Sequence, residues 1–401
     1  MLNKISVILM LRLLGIFLSF ITVVSITQNF GEEKIGLYFY ANSVIAIVSC
    51  IFKFGTDKLI IKHNFKNSDI KGYFKDLLLK VYSFTSIITL IIAALICEYQ
   101  DNLNLVYLFI AIIAQALLYF GSAFYISEEK QKTATFYEVI YPSIVMIITI
   151  YSAIILNIDI DISAIFMIGF LVPTITIISR VKLDTRGANR VDSFELNEAI
   201  PIFTSNLTNM ILRWFPVIFV EYYFNLKDVG LFSVCVRILI LVNLIKLVIN
   251  NLTIRKIAFC FKNEDFEKMK YWTNISCFYS SVICIPFLSL LLLFPNHILY
   301  LFGPEYIYAA TTLRILSLGY ILSAIFSSVG NLFIISGNGF YFTGIQVSSV
   351  LLTVMIFEFI NEFTLSNAAI SVSISMTTAS LLLLVICRFK LGFFPIPKYG
   401  K

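Results

Sequence analysis

Charged residues are scarce in this chain. Asp, Glu, Lys and Arg together supply 13% of its 401 residues, whereas 59% are hydrophobic and the mean hydropathy is +0.89. Soluble domains carry roughly 25% charged residues, so this scarcity excludes a soluble globular protein. A membrane span takes about 20 apolar residues, and a chain of this length with short loops therefore has room for about twelve. The composition predicts an all-α polytopic membrane protein.

Metal-binding and nucleotide-binding motifs are also missing. The two histidines, His63 and His297, fall in connections predicted to lie on opposite sides of the membrane, which excludes a His-based catalytic or metal site. The seven cysteines form no CxxC pair, so neither a zinc motif nor a disulfide framework is expected. The GxxxxGK[ST] loop of ATPases is absent. We therefore expect no metal, no cofactor and, since the basic residues form no single face, no nucleic-acid partner.

The apolar runs and the charges between them predict a topology. Connections rich in Lys and Arg alternate with acidic ones, and the Lys/Arg bias of short loops sets orientation, so both termini are predicted to be cytoplasmic. The predicted spans lie near 5–26, 36–54, 77–97, 104–126, 136–156, 161–180, 200–223, 229–253, 273–294, 307–335, 341–360 and 367–387.

An internal echo indicates a duplicated unit. A shift of 194 positions lays Lys227–Phe232 on Glu33–Tyr38. Since six spans on each side give the two halves the same orientation, we expect two six-helix bundles related by a pseudo-two-fold axis along the membrane normal. The predicted division is an N-terminal bundle at 1–180, a cytoplasmic linker at 181–199 and a C-terminal bundle at 200–401.

Cations inside the predicted spans are the main functional signal. A charge at the centre of a span costs about 2.5 to 3.5 kcal/mol on insertion scales, and such residues are treated as functional by default. The candidates for a cationic lumen are Arg213, Arg12, Lys53, Arg237, Lys246 and Arg314. Snorkelling to the headgroups is an equal alternative for Arg12, Lys53 and Lys246, and it is also open for Arg314. Arg237 lies nine residues from Lys246, on the opposite side of a regular helix, so which of the two faces a lumen stays open.

Neutral polar residues share faces with these cations. At 100° per residue they form stripes on four repeat-related spans, which predicts a water-filled cavity between the halves, although Asn and Ser also serve as packing contacts between membrane helices. The stripe residues are Asn206, Asn209, Asn42, Ser49 and Asn243. Glu138 and Glu221 are the acidic residues nearest the membrane interior, and they are our candidates for ion coupling.

Three segments resemble a known family. They are Thr27–Tyr38 with Phe54–Asp57, then Lys227–Phe232, and then Ile298–Tyr306 continuing through Leu313–Leu316 to Gly337–Asn338. Their order and spacing are similar to those of the polysaccharide or O-antigen unit flippases of the multidrug/oligosaccharidyl-lipid/polysaccharide exporter superfamily. Related drug extruders have an acidic residue in the first span, whereas the first predicted span of this chain has none. Peptidoglycan lipid flippases usually have fourteen spans, whereas twelve are predicted here. Both differences favour the O-unit branch.

The resemblance implies a fold and a function. It implies an inverted V of two six-helix bundles around a cationic lumen, which moves undecaprenyl-pyrophosphate-linked oligosaccharide from the cytoplasmic to the periplasmic leaflet by alternating access. The location would be the bacterial cytoplasmic (inner) membrane, and the process O-antigen, lipopolysaccharide or capsule assembly. Membrane lipid and the polymerase and chain-length regulator of the same pathway would be partners. No catalytic residues are expected.

Two other functions stay open. The first is a multidrug efflux transporter of the same superfamily. The second is a membrane glycosyltransferase or polymerase that acts on lipid-linked sugars. Asp159, Asp161 and the pair Glu32 and Glu33 would be the acidic residues of such an enzyme. The outer connections are too short to hold an acceptor, which counts against the enzyme.

Overall fold

Helices make up every regular element that the structure, a computed structural model, describes. The described residues are 2–57, 60, 82–99, 103–127, 130–180, 196–360 and 362–398. Contacts divide the chain into two units, Met1–Trp214 and Phe215–Lys401. In hydrocarbon the backbone N–H and C=O groups must be satisfied within the segment, and apolar runs therefore fold as helices.

The first unit contains six numbered helices and the start of a seventh. Phe136–Ile140 is a π-helical segment between the fourth and fifth. The helices are α1 Leu2–Lys53, α2 Ser83–Tyr99, α3 Leu105–Ser127, α4 Gln131–Thr135, α5 Tyr141–Leu156, α6 Ile162–Arg180 and α7 Leu196–Tyr223.

The second unit takes the rest of α7 and the helices that follow it. Pro304–Ala309 forms a 3-10 helix before the fourth of them. The helices are α8 Leu226–Lys262, α9 Phe266–Leu293, α10 Pro295–Tyr300, α11 Ala310–Ile325, α12 Ser327–Ile335, α13 Gly339–Phe359 and α14 Leu365–Leu391.

The predicted multi-pass membrane architecture is confirmed. Within the described residues, nine helices are long and apolar enough to cross a membrane. One of them, Met10–Lys53, has 44 residues, enough for two crossings. The predicted third and seventh spans coincide with α2, whose apolar part is the shorter Thr85–Glu98, and with α7, which has 28 residues.

The connection between the first two predicted spans differs from expectation. Instead of a loop of several residues between 26 and 36, α1 is broken by one residue. Gly31 has φ 84° and ψ 179°, outside the helical region. Residues with a side chain rarely adopt that φ, whereas glycine does so readily. The break therefore falls at the residue type that allows it.

The predicted tenth span is also interrupted. We expected one helix over 307–335, but Phe326, with φ −100° and ψ 29°, ends α11 and precedes α12. Hydropathy does not register such a break, because the residues on both sides of Phe326 are largely apolar or small.

Small residues allow close helix packing in both units. In the first, a Cβ on Gly121 of α3 would lie 3.0 Å from Ile177 of α6, and Thr174 of α6 donates to the Ala114 carbonyl at 2.7 Å. In the second, a Cβ on Gly319 would lie 2.6 Å from the Cα of Ser373. Close approach of small residues is what holds membrane helices together where lipid is as apolar as the side chains.

The start of α7 packs within the first unit. The Phe54 and Phe203 rings stack at 4.5 Å between centroids, and a Cβ on Gly55 would lie 3.1 Å from the Phe203 backbone nitrogen. The contact division accordingly falls after Trp214, inside α7. Residues 181–195 of the predicted linker lie outside the described residues, and the boundaries at 180 and 200 stay predictions.

Candidate functional site

Lys53 forms a buried ion pair at the end of α1. Its Nζ lies 2.9 Å from Oδ2 of Asp57, and only 7% and 11% of the two side-chain surfaces are exposed. The ammonium also lies 4.6 Å from the centroid of the Tyr119 ring. A carboxylate thus already compensates this charge. Asp57 is not among the residues predicted from the sequence, although its spacing of four residues from Lys53 is a signal that favours such a pair.

Tyr119 of α3 lies among four charged groups of the first unit. Glu138, Lys53, Arg213 and Asp57 all interact electrostatically with its side chain. Two are cations and two are carboxylates, so this region holds compensated charge as well as cationic side chains. Glu138 itself lies in the π-helical segment, is half-buried and interacts with a further group. Single π-helical turns inside α-helices are frequent at functional sites.

Arg213 and Arg12 are the exposed cations of the first unit's candidate set. Arg213 lies well inside α7 and Arg12 within α1, and both side chains are exposed. Neither has an ion pair or a hydrogen bond with any residue that the structure describes. Both guanidinium groups therefore keep a planar fork of donors that matches phosphate oxygens.

The polar stripe residues of the first unit divide into two groups. Asn206 and Asn42 are half-buried and Asn209 is exposed, although the Asn209 amide donates to the Ser205 carbonyl of its own helix at 2.8 Å. Ser49 is buried and donates to Oε1 of Gln115 at 2.7 Å. Ser49 thus makes a packing contact between α1 and α3, which is one of the two roles that the sequence left open for the stripe residues.

Lys246 is the corresponding cation of the second unit. Its Nζ donates to Oγ of Ser323 at 2.8 Å and to Oδ1 of Asn243 at 3.3 Å. Both acceptors are neutral, and no described residue supplies a carboxylate to this ammonium.

The polar seam around Lys246 continues along α8. Asn250 donates from Nδ2 to the Ser327 carbonyl at 3.3 Å and accepts from Oγ of Ser276 at 3.4 Å. The Ser276 hydroxyl also accepts a hydrogen bond from Thr253 at 3.0 Å. Helical periodicity places Asn250 on the Lys246 face, but it does not predict these partners on α9 and α12, which lie 26 and 77 residues away.

Arg237, Arg314 and Glu221 are placed individually. Arg237 is half-buried and interacts with another group of the chain, so the choice between it and Lys246 as a lumen residue stays a prediction. Arg314 is exposed and its Nε donates at 3.3 Å to the Leu292 carbonyl in the last turn of α9, a favourable place for a cation. Glu221 is buried and has an interaction partner.

No model of a known protein family matches the sequence, and no curated protein matches it. The fold, in contrast, is similar to that of solved transporters. The lipid II flippase MurJ in an inward closed conformation has a TM-score of 0.74 at 15% identity, covering 98% of this chain and 88% of that chain.

Two further structures are similar over nearly the whole chain. An inward-facing multidrug resistance MATE family transporter of the MOP superfamily has a TM-score of 0.69 at 15% identity, with coverage of 96% and 94%. A MOP superfamily transporter from Pyrococcus furiosus, described by the reverse polarity of its binding pocket, has a TM-score of 0.66 at 17% identity, with coverage of 97% and 95%. At these identities the likeness shows the fold: an all-α multi-pass membrane protein with MOP-superfamily transporters as neighbours.

Proposed function

We propose that this protein is a flippase for an undecaprenyl-pyrophosphate-linked oligosaccharide, and that it binds the pyrophosphate through cations on its spans. The substrate would be an O-antigen or capsule repeat unit, moved by alternating access from the cytoplasmic to the periplasmic leaflet of the bacterial inner membrane. The membrane fold and its transporter and flippase neighbours agree with this class of function.

One observation carries the proposal: cations on the spans that have no carboxylate partner in the described part of the chain. Arg213 and Arg12 are exposed, and Lys246 is held by two neutral oxygen atoms. A cation inside a span costs about 2.5 to 3.5 kcal/mol at the helix centre. A pyrophosphate loses its hydration when it enters the membrane, and charge-assisted hydrogen bonds from such cations would replace that hydration.

Lys53 has a different role in this proposal. Because Asp57 already holds its ammonium at 2.9 Å, a phosphate would have to displace a carboxylate to reach it. We therefore assign Lys53 to positioning the end of α1, and we leave direct binding to Arg213, Arg12 and Lys246. Asn206, Asn209, Asn42 and Asn243 would meet the sugars, and Arg237 stays a candidate for the headgroup.

We propose that a titratable carboxylate on the spans couples transport of the lipid-linked oligosaccharide to its energy source. Glu138 is the better candidate, because it lies in the π-helical segment and acts electrostatically on Tyr119 together with Lys53, Arg213 and Asp57. Glu221, which is buried near the end of α7, is the second.

An efflux transporter is the alternative from the same superfamily. The MATE neighbours favour it by fold alone. The candidate cations oppose it for cationic drugs, since like charges disfavour association. An efflux transporter of this chain would therefore prefer anionic compounds.

The test is reconstitution of the full chain in vesicles with a lipid-linked oligosaccharide on one leaflet. A flippase moves the lipid without changing its mass, whereas a glycosyltransferase or polymerase changes the mass. Arg213→Ala should abolish transfer, and Arg213→Lys should be clearly slower than the wild type because lysine lacks the bidentate fork. Lys262→Ala, which removes an exposed cation at the end of α8, is the matched control. Normal transfer by Arg213→Ala would overturn the proposal.

A further inference from the structure

A cavity of about 460 Å³ lies within the first unit, and none of the candidate cations of the transport site lines it. Its walls come from the first part of α1, from α4 and the π-helical segment, from the start of α5 and from the end of α6. We call it the basic–aromatic pocket, and its defining residues are Lys132, Phe136, Tyr137, Tyr141 and Arg180. None of them has a part in the proposed transport site.

The two cations of the pocket are available to an anion. Lys132 and Arg180 are both exposed, and neither forms an ion pair with a described residue. The Arg180 guanidinium lies 5.9 Å from the centroid of the Tyr137 ring, a contact that holds it in place without neutralising it. None of the described residues that line the cavity is acidic.

The aromatic wall is held by ring contacts. Tyr137 is buried, and its ring packs edge-on against Tyr141 at 5.8 Å and stacks on Tyr125 at 6.3 Å. Phe136 stacks on Tyr141 at 5.8 Å and is itself 39% exposed. Such a wall offers apolar ring surface beside two cations, which suits a group that carries a phosphate next to C–H surface.

Exposed apolar side chains flank the pocket on two of its helices. Leu11 lines it, and its neighbours Met10 and Leu14 on α1 are 68% and 48% exposed. Thr176 lines it on α6, and the adjacent Ile175 is 58% exposed. Apolar surface of this kind on a membrane protein faces acyl chains, so the pocket opens beside a place for lipid tails.

We propose that the basic–aromatic pocket binds the phosphate of an anionic phospholipid headgroup, with Lys132 and Arg180 as its ligands and the acyl chains beside α1 and α6. Arginine supplies two parallel donors to phosphate oxygens and lysine supplies a point charge. Tyr141 and Thr133 add hydroxyl groups that have no hydrogen-bond partner among the described residues.

A second cavity, in the other unit, has a wall less suited to an anion. It measures about 390 Å³ and also contains cations and an aromatic ring, Lys256, Lys268 and Trp272. There, however, Lys268 is paired with Asp265 at 2.7 Å, and Asp265 lines the cavity. A carboxylate in the wall opposes an anion, so the basic–aromatic pocket is the better lipid site.

The experiment is lipid retention by the purified full chain. The protein is placed in nanodiscs of phosphatidylcholine with a minor fraction of phosphatidylglycerol, then released, and the bound phosphatidylglycerol is counted by native mass spectrometry. The double variant Lys132→Ala/Arg180→Ala should bind at least about tenfold more weakly, as expected for two lost charge-assisted contacts. Lys262→Ala/Lys398→Ala removes two exposed cations that line neither cavity and should retain the lipid.

Two further measurements distinguish a lipid site from a general charge effect and from a site for soluble phosphate. Thr176→Phe fills the pocket without changing the charge and should also reduce retention. Glycerol phosphate at the same concentration as the lipid should not displace it, since it lacks the tails. Equal retention by the wild type and the pocket variants would overturn the proposal, and so would full displacement by glycerol phosphate.

Discussion

Two lysines, one in each unit, show how differently this chain treats a cation on a membrane span. Lys53 of α1 is followed four residues later by Asp57, and the two form a buried pair. Lys246 of α8 is followed four residues later by Asn250, and its ammonium bonds only to neutral oxygens of Asn243 and Ser323 among the described residues. The same spacing thus carries a carboxylate in one unit and its neutral isostere in the other.

The difference separates a structural cation from an available one. A buried pair neutralises itself, and its two charges depend on each other. An ammonium held by neutral acceptors has no carboxylate to compensate it and can still attract an anion. On this comparison Lys53 has a structural role in the first unit, whereas Lys246 is a candidate to bind substrate.

The largest effect is expected at Asp57. Asp57→Ala leaves the Lys53 ammonium buried without its carboxylate, which should destabilise the folded protein by about 3 to 5 kcal/mol. Chemical unfolding of the purified protein in detergent measures this change. The double variant Lys53→Met/Asp57→Leu, which buries no charge, should recover most of the stability. If Asp57→Ala were as stable as the wild type, the pair would not be structural.

Removal of the Lys246 charge is expected to act on transport instead. Lys246→Ala deletes a charge-assisted contact worth about 1.5 to 3 kcal/mol, which corresponds to roughly a 10- to 150-fold slower transfer of the lipid-linked substrate. The vesicle assay measures it. The unfolding free energy of Lys246→Ala should change much less than that of Asp57→Ala. A large loss of stability with normal transfer would contradict the comparison.

Asn250→Asp converts the second unit to the pattern of the first. A carboxylate four residues after Lys246 would pair with the ammonium and compete with a phosphate for it. We expect transfer to fall about tenfold, which is the effect of about 1.4 kcal/mol of competition. Asn250→Ala is the control, because it loses the bond to the Ser327 carbonyl but adds no charge. Equal activity of the Asp and Ala variants would show that Lys246 needs no free charge.

A third lysine, Lys268, forms an exposed ion pair and tests whether burial decides how much such a pair contributes to stability. Lys268 and Asp265 are closer, at 2.7 Å, but 72% and 33% of their side-chain surfaces are exposed. The pKa of Asp265 lies below its ordinary value because Lys268 donates hydrogen bonds to the carboxylate, so the pair forms at neutral pH and is lost as the pH falls through that lowered pKa. Exposed pairs contribute little.

We therefore expect the smallest effect for Lys268→Ala. At neutral pH its Tm should stay within about 2 °C of the wild type, far from the shift of Asp57→Ala. Differential scanning fluorimetry measures both variants side by side. A Tm loss as large as that of Asp57→Ala would show that distance, and not burial, decides the strength of these pairs.

The membrane architecture was predictable because the bilayer imposes a length and a composition on every span. The break at Phe326 and the π-helical segment at Phe136–Ile140 were not, since local backbone geometry leaves no mark in hydropathy. The site was predictable in part. Cations stand out in apolar runs, and the spacing of Lys53 and Asp57 favours their contact, but a search for cations alone passes over the carboxylate.

The sequence does not show which helix covers each polar face or which group each polar side chain contacts. Periodicity placed Ser49 on the same side of α1 as Asn42, yet it does not say which helix covers that side. Gln115, 66 residues away, does so for Ser49. Likewise the carbonyl of Leu292 that accepts from Arg314 belongs to a neighbouring helix end, and only tertiary packing brings it there.

The break in α1 has a mechanical consequence. A helix of 52 residues would be about 78 Å long, more than twice the thickness of the hydrocarbon layer, and Gly31 is its one non-helical residue. Hairpins with ordinary loops can twist each arm independently, because several flexible bonds absorb the strain. Here the φ and ψ torsions of Gly31 alone set the angle between the N-terminal arm and the arm ending at Lys53, so a change in these two torsions moves one arm against the other.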